Sequence, residues 1–277
     1  MRTKFTYIVP IFNKEDILPD TLKGIERCSS EESTIILIVD GCTDGSEKIV
    51  DDFISANIRK TIKLTMPNVH MLRSVNEGLK HVDEGFSIIM QDDIILEDPD
   101  MEQKILALYE RVGPKLGVIS FRFGSNIRIT SLLQSVRSSF HRMIFEDDFI
   151  QSQDDYASYP IGEYDKFYPR MSAINGPNCI PYSVLSRLKQ FDPLLAPYGF
   201  DDPEFCLRAL ELGFINGLFP IKYRSDEDWG GTRRSKSFIN EVKRIHLRNR
   251  KYIYRKHKDF LTKYLAEGDL FTSNETI

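Results

Sequence analysis

Residues 34–54 read TIILIVDGCTDGSEKIVDDFI. Thr34 to Val39 is β-branched or apolar at every position, and only Asp40 at the end is charged. A strand with that pattern is buried on both faces, as in a parallel sheet. The Gly-rich turn GCTDG then feeds a helix, and strand, turn and helix together make half of a βαβ unit. Working outward, Tyr7–Phe12 (YIVPIF) reads as a first strand. Lys14–Ile25 has helical spacing through Ile17, Leu18, Leu22 and Ile25. Thr61–Thr65 is a weaker strand and Asn76–Val82 a helix. Phe86–Met90 (FSIIM) is a second buried strand running straight into Gln91, Asp92 and Asp93, and Leu116–Phe123 is a fifth strand. This alternation predicts an α/β fold with an open, mostly parallel central sheet flanked by helices.

The chain has 277 residues, 41% of them hydrophobic and 28% charged, with a net charge of −4. That composition belongs to a globular protein able to bury a core without staples, and the charge balance argues against a protein that coats nucleic acid. Cys28, Cys42, Cys179 and Cys206 show neither CxxC nor zinc spacing, so free thiols in a reducing compartment are expected. The N-terminal apolar run is too short for a signal peptide and is interrupted by Pro10. No stretch reaches ~18 apolar residues, so the expectation is a soluble, cytoplasmic protein. Absence of GxGxxG, GxxxxGK[ST] and GxSxG argues against a dinucleotide oxidoreductase, a P-loop NTPase and a triad hydrolase.

In open parallel sheets, ligands bind beyond the carboxyl ends of the strands. Asp40 ends the second strand, Asp44 lies in the turn after it, and Asp92 and Asp93 end the fourth. Acids at buried strand ends must meet water, a cation or hydrogen-bond donors. A hard divalent cation bridging them to a ligand's phosphates is one solution. Capping of the next helix is the other reading for Asp40 and Asp44. The same choice applies to Asp201 and Asp202, where Pro203 suits a first helical turn.

Four stretches in order, YIVPIFNKEDILPDTLKGI (7–25), IILIVDGCTDGS (35–46), RSVNEGLKHVDEGFSIIMQDDIIL (73–96) and GFDDPEFCLRALELG (199–213), resemble the family 2 glycosyltransferases of GT-A fold. The likeness runs over residues 5–100 and 172–232. It implies an inverting enzyme that moves a sugar from a nucleotide-sugar donor, UDP-linked in preference to GDP- or dTDP-linked, to a hydroxyl of a glycan or lipid-linked acceptor. By the resemblance, Pro10 and Phe12 lie beside the base, Asp40 takes the uracil or ribose, and Asp44 holds that loop. Arg73, Asn76 and Gly78 lie near the base and diphosphate. Asp92 and Asp93 match the DxD-type signature, with Asp93 as ligand of a divalent metal, Mn2+ or Mg2+. Asp201 and Asp202 match the acidic pair whose second member is the catalytic base, with Arg208 closing that motif. The chemistry suits the residue types. A cation stabilises the departing diphosphate, and a carboxylate takes the proton of the attacking hydroxyl, its basicity raised by Asp201 and partial burial.

Some positions depart from the family's pattern. Gln91 stands where the first acid of DxD is expected, and no His follows the last strand; His141 and His246 do not fit, while Asp226 or Asp228 in SDEDWGGTRR is a substitute ligand or a solvated loop. These departures keep a second reading open, a degenerate, non-catalytic GT-A domain that binds a glycan or protein partner. The QxxRW motif of processive polysaccharide synthases is absent. Arg233 and Arg234 follow a Gly pair and suit a loop closing over a diphosphate, or surface charge at a helix start. The stretch 232–264 holds twelve Lys or Arg and two acids, a net of +10 that leaves −14 for the rest. It reads as a basic helix that either meets anionic lipid at the inner face of a membrane or folds back on the acidic body. The expected organisation is 1–123 as the nucleotide-sugar half, 124–232 as the acceptor and catalytic half, and 233–277 as the basic helical extension. Within it, the aromatic and acidic residues of 124–172 suit an acceptor pocket or an ordinary aromatic core.

Overall fold

A computed structural model describes residues 4–131, 148–152, 157–158, 163–174, 176–225 and 236–267. The chain runs β1 (Phe5–Ile11), α1 (Leu18–Cys28), β2 (Thr34–Asp40), α2 (Ser46–Ala56), β3 (Lys60–Met66), α3 (Met71–Leu79), β4 (Phe86–Ile89), β5 (Ile95–Leu96) and α4 (Met101–Val112). It continues through β6 (Leu116–Ser120), β7 (Phe123–Ser125), β8 (Ile127–Ser131), β9 (Asp148–Ser152), β10 (Ala157–Ser158), β11 (Tyr168–Pro169), β12 (Ser172–Ile174) and β13 (Asn178–Pro181). Last come α5 (Tyr182–Leu188), α6 (Asp201–Glu211), β14 (Ile215–Leu218), β15 (Tyr223–Arg224) and α7 (Lys236–Ala266).

All seven residues of β2 are buried, as its apolar run requires. Side chains alternate between the two faces of a strand, so β1 and β2 feed two cores. Tyr7, Val9, Ile11, Ile35, Leu37 and Val39 join Leu18, Leu22 and Ile25 of α1 with Met101, Ile105 and Leu108 of α4. Ile8, Ile36 and Ile38 join Leu72, Val75 and Leu79 of α3 with Phe205 and Leu207 of α6. At about 25 cal/mol per Å² of apolar area removed from water, these two layers hold the sheet between its helices.

The large sheet has the order β11-β14-β6-β13-β4-β1-β2-β3. Strand β1 pairs in parallel with both β2 and β4, and β2 in parallel with β3. The chain steps outward from β1 to β3 and then returns to β4 on the other side of β1. That reversal makes a topological switch point at the carboxyl ends of β1 and β4, where ligands of such sheets bind. Strand β13 lies antiparallel between β4 and β6, so the sheet is mixed and not a simple succession of parallel units.

Three boundaries differ from the sequence reading. The expected strand Leu116–Phe123 is two strands, because Ser120 Oγ accepts hydrogen bonds from the amides of Arg122 and Phe123 and turns the chain. Helix α1 starts at Leu18 with Pro19 in its first turn; before it, Lys14 O accepts from Ile17 and Leu18 N in a separate turn. Helix α3 covers Met71–Leu79 instead of 76–82, because Asp40 holds the two amides just ahead of it, as described below.

Gly78 sets how closely α3 approaches the sheet. A Cβ there would stand 2.6 Å from Ile8 Cγ2 and 3.0 Å from Ile38 Cδ1, both rigid β-branched core residues. Gly78→Ala is expected to lower stability by about 1–3 kcal/mol through overpacking. Urea unfolding followed by circular dichroism measures it, and an unchanged midpoint would contradict the close packing.

Candidate active site

The strand ends at the switch point are tied to one another by polar contacts. Phe12 N, just past β1, donates to Asp92 Oδ2 at 2.8 Å. Asp92 is buried, and that burial, reinforced by the charge of Asp93, pushes its carboxyl up to about 7 against the opposing Phe12 amide and Lys14 ammonium. Lys14 Nζ lies 3.1 Å from Asp93 Oδ2, and the two side chains are only 8% and 15% exposed. Lys14 was absent from the candidate residues. Its one signal in the sequence is a lysine three residues after a buried strand, in a loop whose neighbouring strand runs on into two acids.

The loop after β1 is also bound to the turn after β2. Lys14 N donates to Ser46 Oγ at 2.8 Å, Thr43 N to Asn13 Oδ1 at 2.8 Å, and Gly45 N to Glu15 Oε2 at 2.6 Å. Asp44 accepts from Ser46 N and Glu15 N. It thus caps α2 and holds the loop at once. Burial works against its ionisation, but hydrogen bonds from Ser46 and Glu15 outweigh it and hold the carboxyl below its ordinary value. Asp40 accepts from Val69 N at 2.6 Å and His70 N at 2.9 Å, so it anchors the entry to α3. Gly41 turns the chain away at φ 71°, where a Cβ would meet Asn68 Cβ at 2.7 Å.

The RxxNxG stretch divides. Arg73 is exposed on the first turn of α3. Asn76 is buried and clamps the far end of the helix: its Nδ2 donates to Phe191 O and its Oδ1 accepts from Phe191 N. Gly78 faces Ile8 and Ile38. Asn76 and Gly78 therefore hold α3 against the body, and Pro10 sits within β1. Arg233, Arg234, Asp226, Asp228 and His141 lie outside the described residues, as do parts of 124–172.

The acidic pair comes from the opposite part of the chain. Asp201 opens α6 and accepts from Gly199 N at 3.0 Å. Burial raises its carboxyl, with Glu204 adding to the effect and the Gly199 amide opposing it. Asp202 Oδ1 accepts from Asn178 Nδ2 at 3.2 Å. Asn178 pairs with Ile89 at the end of β4, three residues before Asp92. Asp202 is thus carried to the same sheet edge as Asp92 and Asp93. Nothing in the sequence singled out Asn178.

The basic helix α7 folds back on the body. Asn249 Nδ2 donates to the carbonyls of Leu195, Tyr198 and Gly199 in the loop leading to Asp201. Arg250 Nε donates to Ile150 O, and its guanidinium lies over Phe149, 4.3 Å from the ring centre. His246 packs edge-on against Phe200 and next to Gly199. These contacts realise the fold-back alternative along the described helix. Among the described residues no helix is long and apolar enough to cross a membrane.

Among the described residues no group of three or more His, Cys, Asp or Glu is placed to hold a metal. Asp92 is committed to Phe12 and carries a raised carboxyl, and one oxygen of Asp93 is committed to Lys14. A hard cation wants about six oxygen ligands. Asp92 and Asp93 by themselves therefore do not supply the oxygen set of a hard cation.

The glycosyl transferase family 2 model matches residues 6–160, more than half of the chain, and the match covers both the first-strand loop and the Asp92–Asp93 end of β4. The chain belongs to glycosyl transferase family 2. It is similar to a poly-β-1,6-N-acetyl-D-glucosamine synthase of Staphylococcus epidermidis, 24% identical over 115 residues, which are 42% of this chain and 27% of the synthase. A synthase of the same name from Staphylococcus aureus is 23% identical over 121 residues. This chain therefore spans well under half of the curated relatives it matches. Among solved structures, S. aureus TarS 1-349 in complex with UDP-GlcNAc superposes with a TM-score of 0.56 at 15% identity, covering 86% of this chain and 64% of that one. The mannosyltransferase PcManGT of Pyrobaculum calidifontis, in complex with GDP-Man and Mn2+, gives 0.55 at 14% identity, covering 80% and 56%. The fold of this family 2 member is that of these GT-A transferases.

Proposed function

We propose that this family 2 member is an inverting glycosyltransferase that moves a sugar from a nucleotide donor, UDP-linked by preference, to a hydroxyl of a glycan or lipid-linked acceptor. The observation that carries the reading is the arrival of Asp202, on α6, at the sheet edge where β4 ends in Asp92 and Asp93, joined through Asn178. By this reading residues 1–123 are the donor half, 124–232 the acceptor half and 233–277 the basic extension, whose helix α7 buttresses the loop before Asp201 through Asn249. In this reading Phe12, Asp40, Asp44 and Arg73 shape the nucleotide side. Asp92 and Asp44 do so by holding the first loop in place.

Asp202 takes the proton of the acceptor hydroxyl as that oxygen attacks the anomeric carbon from the face opposite the leaving diphosphate, so the centre inverts. Asp201, Asn178 and the first turn of α6 orient it. Lys14 offsets the charge of Asp93 beside the diphosphate. Asp93 would hold a divalent cation, which when bound would supply further neutralisation of the leaving group.

Purified protein given Mn2+ and a panel of UDP- and GDP-sugars should release nucleoside diphosphate slowly, and faster once an acceptor glycan is added. Asp93→Ala should weaken Mn2+-dependent UDP binding, read by calorimetry with and without chelator, by roughly tenfold or more. Binding of nucleotide sugars without turnover under any acceptor would favour the non-catalytic reading instead.

A further inference from the structure

Two amide oxygens near the candidate base have no use in the fold. Among the described residues, Gln91 Oε1 and Asn178 Oδ1 are buried without a hydrogen-bond partner, and they are the only side-chain amide oxygens in that state. An unpaired buried carbonyl loses its water for nothing in return, and native proteins keep few of them. The orientation of the Asn178 amide is not arbitrary. Its Nδ2 donates to Asp202 Oδ1, and a carboxylate can only accept, so Oδ1 must face the other way. The two residues lie close in the fold: Asn178 pairs with Ile89, the last residue of β4 and two residues before Gln91. A Cβ on Gly176 would touch Gln91 Oε1 at 3.6 Å and press on Ile89 O at 3.3 Å. Gly176, two residues before Asn178, therefore packs directly beside the Gln91 amide.

We propose that Gln91 and Asn178 form a two-acceptor subsite for hydroxyl or amide hydrogens of the transferred sugar, and that Asn178 links the seating of that sugar to the orientation of Asp202. This rests on the transferase reading above. The donor sugar is the occupant, and not the acceptor, because Gln91 directly precedes Asp92 and Asp93, beside which the diphosphate lies. The subsite explains why an amide stands where an acid is expected in the DxD-type signature. A neutral carbonyl there accepts from a hydroxyl without adding negative charge beside the Asp92–Asp93 pair. Asn178 is a positioning residue: it acts on the reaction through Asp202 and through the sugar it holds.

The test is calorimetry on the full chain with UDP-GlcNAc, UDP-glucose and GDP-mannose, against UDP and GDP as sugar-free probes, for the parent, Gln91→Leu and Asn178→Leu. Each variant should weaken binding of the preferred nucleotide sugar roughly 5- to 50-fold while leaving the sugar-free nucleotide within about twofold. Gln91→Leu should melt no lower than the parent, since an unpaired acceptor is exchanged for an apolar group of similar shape; this variant carries the test if Asn178→Leu fails to fold. Unchanged sugar affinity would mean that ordered water satisfies both oxygens, and would overturn the subsite. Equal losses for nucleotide and nucleotide sugar would overturn it too, since the pair would then be supporting the nucleotide site. A parent that binds no nucleotide sugar at all would overturn the transferase reading together with the subsite, whereas parental binding with silent variants overturns the subsite alone.

Discussion

Asp202→Asn lowers the turnover of sugar transfer by roughly 10²- to 10⁴-fold, the usual contribution of a positioned general base, and leaves nucleotide-sugar affinity within about twofold, as expected when only a transition-state interaction is removed. The substitution keeps the size of the side chain, its place at the first turn of α6 and an oxygen able to accept from Asn178 Nδ2, which lies 3.2 Å from the native carboxylate. It removes the capacity to take a proton. Single-turnover kinetics beside calorimetry separates the two quantities. Parental transfer by Asp202→Asn would move the base elsewhere. A parallel loss of donor affinity would instead make Asp202 part of the donor pocket.

Glu204→Ala is the largest expected stability change, about 3 kcal/mol, as for a buried ion pair that loses one partner. Glu204 is fully buried two residues after Asp202. Arg208 Nε lies 2.9 Å from its carboxylate, Lys256 Nζ 2.8 Å and His257 Nε2 3.5 Å. Lys256 also reaches Asp192 at 2.6 Å, and Tyr252 donates to the same Asp192 oxygen. This network fastens α7 to α6. Arg208 and Lys256 are partly exposed, so both can turn to water once Glu204 is gone, which puts the loss at the lower end of the usual range. The same residue sets an acid limit. Burial opposes its ionisation, but His257, Arg208 and Lys256 outweigh it and hold its carboxyl below the ordinary 4.5. The folded chain therefore binds that proton less readily than the unfolded chain. The stabilisation is fully present above pH 4.5 and drains as pH falls from there through the depressed folded value. Thermal melts of parent and variant from pH 7 down to pH 3 should converge at the acid end. A constant gap between them would contradict the linkage.

Residue by residue, what could be read in advance follows the range of the interaction. The burial of β2 was legible because an apolar run closed by one acid fits little besides a strand covered on both faces. The capping contact of Asp44 with Ser46, two residues on, was legible because it is local; its hold on Glu15, 29 residues away, was not. The start of α3 was not. It depends on Asp40 accepting from Val69 and His70, 29 and 30 residues away. Asn76 and Gly78 were read from the sequence as residues near the base and diphosphate. Their observed contacts, with Phe191 and with Ile8 and Ile38, are packing and clamping contacts that spacing alone does not distinguish from ligand contacts. The basic stretch after residue 232 left two fates open, and the contacts of Asn249, Arg250 and Lys256 show the fold-back one along the described helix.

The order of motifs and the strand-to-helix periodicity, which are local properties of the chain, determined the layered α/β architecture and the family. Only the tertiary structure decided which acids stand together, that Lys14 neutralises Asp93, and that Asn178 from an antiparallel strand turns Asp202 toward the end of β4. Those facts depend on strand order, and strand order is settled by the burial of two whole cores at once, a sum over distant residues that no single stretch of sequence contains.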